Sequence, residues 1–338
     1  MVLSARLAAP GPPTVPLDEA QRTVLARVAA RLADGTYRIE PAPCPCGAAR
    51  DVELARRDRY GLPVRTVLCR ACGLARTDPR MTTETLRRFY EEDYRDLYTG
   101  PAARERLFEG QIALGRSILA TVGRVLPAGG TVVEVGCGPG GNLVPFAEAG
   151  YRTVGVDLGT TGFELGRARG VDLRRGDAAT LLAEGVGPVD LVVLHHVLEH
   201  FEDPIEALRP IRRLLAPRGV LWVEVPGLHA IHTRYAGDFL RYLQNAHLFH
   251  FTAATLAYVL RRAGLEPVHV DEHALALAIP APAGDRTPFP PPSGARTTLA
   301  YLRRLERAHT RGHRAPDATA SAPAPPSAQP SPGIMDSQ

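Results

Sequence analysis

The sequence contains no lysine: all 40 of its basic residues are arginine. A Schiff-base mechanism, or a phosphate-binding loop that ends on lysine, therefore has no residue to act through. Long apolar runs are also missing. The opening MVLSARLAAP lacks the apolar core of a secretion signal, and no stretch approaches the roughly 18 apolar residues that span a bilayer. A cytoplasmic chain with no membrane partner is expected. Charge of one sign is scarce too. The 40 basic residues face 36 acidic ones and the small excess falls after residue 285, so the near-neutral centre argues against a nucleic-acid groove. No internal repeat is visible.

What is present is a chain of 338 residues, 45% hydrophobic, enough for about two domains with a real core. Residues 1–40 read as an extension: 1–16 are Pro/Ala-rich and expected to be loose, and 17–34 set Val24, Leu25, Val28 and Leu32 at helical spacing. Residues 41–80 carry four cysteines. Residues 81–102 form a helical lid or connector with Leu86, Phe89, Tyr90, Tyr94, Leu97 and Tyr98 on one side, a stripe better suited to packing than to holding substrate. Residues 103–280 alternate helix and strand patterns. The Pro/Ala-rich remainder, 281–338, is expected to be mostly disordered around one short helix at 297–309.

Within 103–280, TVVEVG, RTVGVD, VDLRRGD, DLVVLHH and GVLWVEV are almost continuously apolar, as strands are when helices cover both faces of a sheet. A doubly wound parallel α/β sheet follows. PVHVDE and ALALAIP can close it, one of them antiparallel. Between the fourth and fifth strands Asp203 is placed to cap a helix, with Pro204 at its first position and Glu206 at capping-box spacing.

Ligands of such sheets bind outside the carboxyl ends of the strands where the strand order reverses, which selects the loop after the first strand, TVVEVGCGPGGNL. Gly136, Gly138 and Gly141 fit a dinucleotide fingerprint, with Asp157 about 20 residues on to hold ribose hydroxyls. The same stretch also reads as acidic-x-GxGxG through Glu134, Gly136, Gly138 and Gly140, which resembles motif I of the class I S-adenosylmethionine (SAM)-dependent methyltransferases. Pro139 favours SAM, because its missing N–H removes a donor that a pyrophosphate would use. RRGDAATL and LVVLHHVLEHFEDP resemble the segments after the third and fourth strands of that family. The resemblance implies a Rossmann-like seven-stranded methyltransferase sheet and SAM as cofactor. It also implies contacts from Glu134 to the ammonium, from the turn Gly136, Cys137, Gly138 and Gly140 to the methionine part, and from Asp157 and Leu158 to the ribose side. Asp177 and Ala178 fall at the adenine and His195 along the cofactor. Cys137 itself reads as a small buried filler.

The cysteine stretch, CPCGAAR…VLCRACGLARTDPR, places Cys44, Cys46, Cys69 and Cys72 as two pairs. Four thiols in one cytosolic segment suggest a structural zinc ion; the second pair is a CxxC knuckle, whereas the first is a tighter CxC. A four-cysteine ribbon, then MTTETLRRFYEEDYRDLY, then a class I core is similar to the zinc-ribbon methyltransferases of sugar and polysaccharide biosynthesis. Their Tyr-His-Glu-His segment falls here on Gln244, Asn245, Ala246 and His247, so only the last histidine is kept and the resemblance carries the general class: methyl transfer to a small-molecule acceptor such as a sugar. His200 and His247 are the candidate general bases, with Glu199 placed to orient His200. Two other readings share these motifs, an NAD-dependent oxidoreductase and a silent zinc/SAM-fold binding module.

Overall fold

The computed structural model describes residues 2–98, 104–282 and 289–312. The N-terminal third begins with α1 (Glu19–Ala33), held at its start by a reciprocal capping box between Asp18 and Gln21. A two-stranded ribbon, β1 (Ile39–Glu40) with β5 (Arg80–Met81), brackets the cysteine segment. Between them β2 (Asp51–Ala55), β3 (Thr66–Cys69) and β4 (Ala75–Thr77) form an antiparallel meander. The connector is α2 (Thr83–Phe89), capped by Thr82, a π-helical turn at Tyr90–Tyr94, and α3 (Arg95–Tyr98).

The sheet domain opens with α4 (Arg104–Val122), whose buried Phe108, Ile112, Ile118 and Val122 recur at helical spacing. Its strands are β6 (Thr131–Val135), β7 (Arg152–Asp157), β8 (Asp172–Arg175), β9 (Val189–His195) and β10 (Leu215–Glu224), with β12 (Leu265–Val270) and β13 (Leu275–Pro280) closing one edge. The order is β12-β13-β10-β9-β6-β7-β8, and β13 runs antiparallel to both neighbours. Helices α5 (Val144–Glu148), α6 (Phe163–Arg167), α7 (Ala178–Ala183), α8 (Pro204–Leu214) and α11 (Ala253–Arg262) connect these strands. Both faces of the central strands are dry: Val133, Val135, Val192 and Leu194 belong to one apolar cluster, and Val132, Leu191, Val193 and Trp222 to the other. Each such side chain contributes about 1.5–3 kcal/mol on burial. Asp203 caps α8 as expected, accepting from the N–H groups of Ile205 and Glu206. The Glu206 side chain does not close a capping box but pairs with Arg209 at 3.0 Å, one turn on.

Two features depart from the sequence pattern. Residues 2–16 are docked rather than loose: Leu7 is fully buried, and Arg6 bridges Glu306 and Asp238. Backbone bonds from Leu3 to Leu54, from Arg56 to Leu7 and from Thr14 to Arg59 add to that anchor, and none of these long-range contacts leaves a periodicity to read. Second, the cysteine sheet is completed by β11 (Phe249–His250), which comes from about 170 residues further along the chain and pairs with β4. Short helices α9 (Ile231–Arg234) and α10 (Phe239–Tyr242) lead into that strand. Most of the expected disordered tail, 283–288 and 313–338, lies outside the described residues; its described part holds α12 (Ala295–Gly312), packed through Leu302 and Leu305. Among the described residues no helix is long and apolar enough to cross a membrane.

Candidate active site

The strand order reverses between β6 and β9, and a cleft of about 810 Å³ opens at the carboxyl ends beside it. Its walls include Tyr90, Arg95, Pro139, Leu158, Gly159, Gly176 and His200, so it runs from the glycine turn to the candidate base. The turn is held from both sides. Gly136 and Cys137 donate their N–H groups to the carbonyl of Val156 on β7. From α4, the Gln111 side chain donates to the carbonyl of Cys137 and accepts from the N–H of Gly141. Gly138 has a φ of +53°, which L side chains rarely adopt, so its replacement strains the backbone even though space for a Cβ is open there.

Asp157 ends β7 and receives the N–H of Gly138 at 2.9 Å and that of Gly159 at 2.8 Å, while Arg95 approaches at 3.3 Å. Leu158, beside it, is 66% exposed at the cleft. Glu134 ends up beneath the turn and is 1% exposed; Asn142 donates to its Oε1, and Oε2 has no partner. Burial pushes its pKa up to about 8, with the Asn142 hydrogen bond opposing. A buried carboxylate oxygen without a partner is costly, and a cationic group brought against it would satisfy it. Cys137 is fully buried and its thiol is raised well above the usual range by burial, so it is an inert filler. Asp177 is exposed and its carboxylate caps α7 through Thr180, leaving Ala178 as the first residue of that helix. His195 packs against Trp222 and His196, and burial keeps it neutral.

Around Glu199 four histidines converge. The carboxylate is 1% exposed, and neither oxygen has a hydrogen-bond partner. Yet it lies 3.4 Å from His196 Nδ1, 3.8 Å from His200 Nε2 and 3.7 Å from His247 Nε2, with buried His250 behind. Burial raises its pKa but His200 and His196 lower it further, so it stays ionised. His200 is lowered by burial against the pull of Glu199, and is neutral at rest. Its Nδ1 lies 2.9 Å from the carbonyl of Ala246, which can only accept, so Nδ1 carries the proton and Nε2 is the basic atom. The hydroxyl of Tyr90 meets the same Nδ1 at 2.8 Å. His247 is buried under His200, with ring centroids 5.0 Å apart, and its ring contacts Gln244.

The cysteine segment reaches this cluster. Thr77 on β4 donates through its hydroxyl to the carbonyl of His247 at 2.8 Å and through its N–H to that of Leu248 at 3.0 Å. Asp58 accepts the N–H of Asn245, and Arg59 meets Gln244. The stripe Tyr90, Tyr94 and Tyr98 packs on Phe89 and also touches the site, through His200 and Asn245. Arg95, Gln111, Thr77 and Asp58 carry no motif, and only their tertiary positions bring them here; Asn142 lies in the glycine stretch TVVEVGCGPGGNL but at none of its motif positions. The four cysteine sulfurs lie within 4.8 Å of one another, and the CxC pair closes as well as the knuckle: Cys46 is 3.4 Å from Cys44 and 3.6 Å from Cys69. Four thiolates about 2.3 Å from a tetrahedral ion would stand about 3.8 Å apart, so the cluster fits zinc.

A parallel sheet with one antiparallel strand next to its edge, a glycine turn after the strand at the reversal and an acid ending the next strand together define the class I methyltransferase architecture. Residues 105–270 match the family model for the methyltransferase domain, and that segment is a methyltransferase domain. The chain is 36% identical over 99 residues to a ubiquinone biosynthesis O-methyltransferase of Caulobacter vibrioides, covering 28% of this chain and 39% of that protein. With the corresponding protein of Xanthomonas axonopodis pv. citri it shares 32% identity over 156 residues, 42% of this chain and 65% of the other. The chain spans about two fifths of the length of the Caulobacter vibrioides relative. Among solved structures it is similar to the 1,6-didemethyltoxoflavin-N1-methyltransferase of Burkholderia thailandensis, with a TM-score of 0.43 and 20% identity, over 64% of this chain and 96% of that one.

Proposed function

We propose that the protein transfers a methyl group from SAM to a small-molecule acceptor, with a hydroxyl deprotonated by His200. The observation that carries this reading is the single cleft that joins the glycine turn and Leu158 to His200. The O-methyltransferase relatives support a hydroxyl acceptor. When bound, SAM supplies an electrophilic sulfonium methyl. Glu134 Oε2 would take its ammonium group and Asp157 its ribose hydroxyls, alongside the backbone donors that already fix that carboxylate. Leu158 offers an apolar wall at the cleft. His200 Nε2 would accept the acceptor's proton, and the imidazolium would then sit 3.8 Å from the ionised Glu199. His247, deeper and neutral, is assigned to positioning. The four cysteines would hold a structural zinc ion with no open ligand position. Purified protein given labelled SAM and a panel of phenols, hydroxylated rings and nucleotide sugars tests the reading; label transferred to none of them would overturn it.

Asp157→Ala should weaken S-adenosylhomocysteine binding by about 1–3 kcal/mol, because charge-assisted hydrogen bonds to two hydroxyls are lost. Calorimetry showing parental affinity would remove Asp157 from the site. Glu134 predicts a pH dependence. Its pKa of about 8 in the free protein means that binding an ammonium group expels a proton below that pH. Affinity should therefore rise by up to about tenfold per pH unit between about pH 5 and 7, below the range in which the ligand amine loses its proton. Glu134→Gln should flatten the profile; a flat profile in the parent would sink the ammonium contact.

A further inference from the structure

We propose that a second cavity, of about 320 Å³ between β2, β3 and the first turn of α12, binds a phosphate or diphosphate group. Its rim carries Arg50, Arg70 and Arg296 over an apolar floor that includes Val52, Leu68 and Leu299, and no carboxylate lines it. Arginines elsewhere on the same small sheet are neutralised: Arg56 by Glu53, Arg65 by Asp78 and Arg76 by Asp51. Among the described residues, the three that face the cavity make no ion pair, and the only side-chain bond among them is a 3.4 Å contact from Arg70 to a backbone carbonyl. Three like charges around one space repel one another, and an anion with several oxygens removes that repulsion while taking planar, bidentate hydrogen bonds.

The walls are fixed before any ligand arrives. Gly73, at a φ of +77°, turns the chain so closely against α12 that a Cβ there would lie 2.9 Å from the N–H nitrogen of Ala295. The helix is anchored by Leu302 and Leu305, and its first turn holds no acidic residue that would compete for the guanidiniums. Arg70 lies between Cys69 and Cys72, so the cavity adjoins the cysteine cluster, and it shares no wall residue with the cleft at the sheet's carboxyl edge. Binding at this cavity is therefore independent of the acceptor chemistry.

The probe is inorganic pyrophosphate, titrated by calorimetry into the full chain with its metal retained. Saturable binding is expected, falling about tenfold in Arg296→Ala and more in Arg50→Ala/Arg70→Ala/Arg296→Ala, as when charge-assisted hydrogen bonds are removed. Binding should weaken steeply with salt, whereas S-adenosylhomocysteine affinity stays parental and reports that each variant is folded. ADP binding more tightly than pyrophosphate would place a nucleotide ring on the apolar floor; equal affinity would assign the site to a free anion, and both keep the phosphate class. The proposal is overturned if the parent shows no saturable pyrophosphate binding, or if the triple variant binds it as tightly as the parent. It is equally overturned if the triple variant loses only metal, since the arginines would then merely balance the thiolates.

Discussion

Replacing His200 with alanine is expected to lower kcat about 100-fold or more on a true acceptor while S-adenosylhomocysteine binding stays at the parental level. That range is the usual loss when a general base is removed. His200 is singled out because it alone of the histidines around Glu199 lines the cleft with Tyr90, and because its Nδ1 is committed to a backbone carbonyl, which leaves Nε2 free to accept. Glu199→Gln should reproduce part of the loss, since it removes the charge that stabilises the imidazolium but keeps the shape. The pH profile provides a readout that a purely structural role would not move. Burial lowers the pKa of His200 below the ordinary histidine value of 6.5, so the base stays neutral above it and activity should fall only as pH drops through that lowered value. His247→Ala, by contrast, should change kcat less than His200→Ala. Equal or larger losses at His247 would reverse the two roles, and parental turnover in both variants would leave proximity and desolvation as the whole of the acceleration.

The second large effect concerns the cysteine cluster. Protein prepared without chelator should contain about one zinc per chain, and Cys69→Ser or Cys72→Ser should release it and unfold the segment around β2 to β4, because metal binding in such ribbons supplies about 10 kcal/mol or more of folding free energy. The consequence should reach the active site. β4 pairs with β11, and Thr77 carries the backbone of His247 and Leu248. Leu248 in turn donates its N–H to the carbonyl of Glu199 at 2.9 Å. Hydrogen exchange should therefore accelerate at 244–250 as well as at 44–80, and kcat should fall together with the metal content. Absence of metal by elemental analysis would end the zinc assignment; unchanged exchange at 244–250 in a metal-free variant would show that the two regions are not coupled.

How much of this was legible beforehand depended on whether the information was local. The five apolar strands, the capped start of α8, the acid-glycine turn and the acid at the end of β7 are each written within a dozen residues, because strand burial on two faces, capping and left-handed glycines are short-range requirements. The pairing partners were not local. Glu134 was recognisable as a strand-end acid and Asn142 stands eight residues on in the same stretch, but the sequence pattern does not say that the turn folds Asn142 back onto Oε1 and leaves Oε2 without a partner. The same holds for Arg95 on Asp157 and Gln111 on the glycine turn, which are ordinary polar residues of helices that happen to cross the sheet's edge. His200 and His247 could be nominated from the loops that carry them, yet their order in depth was decided by β11 joining the cysteine sheet, a contact between segments about 170 residues apart in the chain. The sequence by itself determined the sheet, the turn and the four thiols, since each is specified by its own neighbours. Tertiary structure alone decided which histidine meets the cleft, that the N-terminal arm is docked, and that three unpaired arginines face one cavity, because each depends on long-range packing that no local pattern encodes.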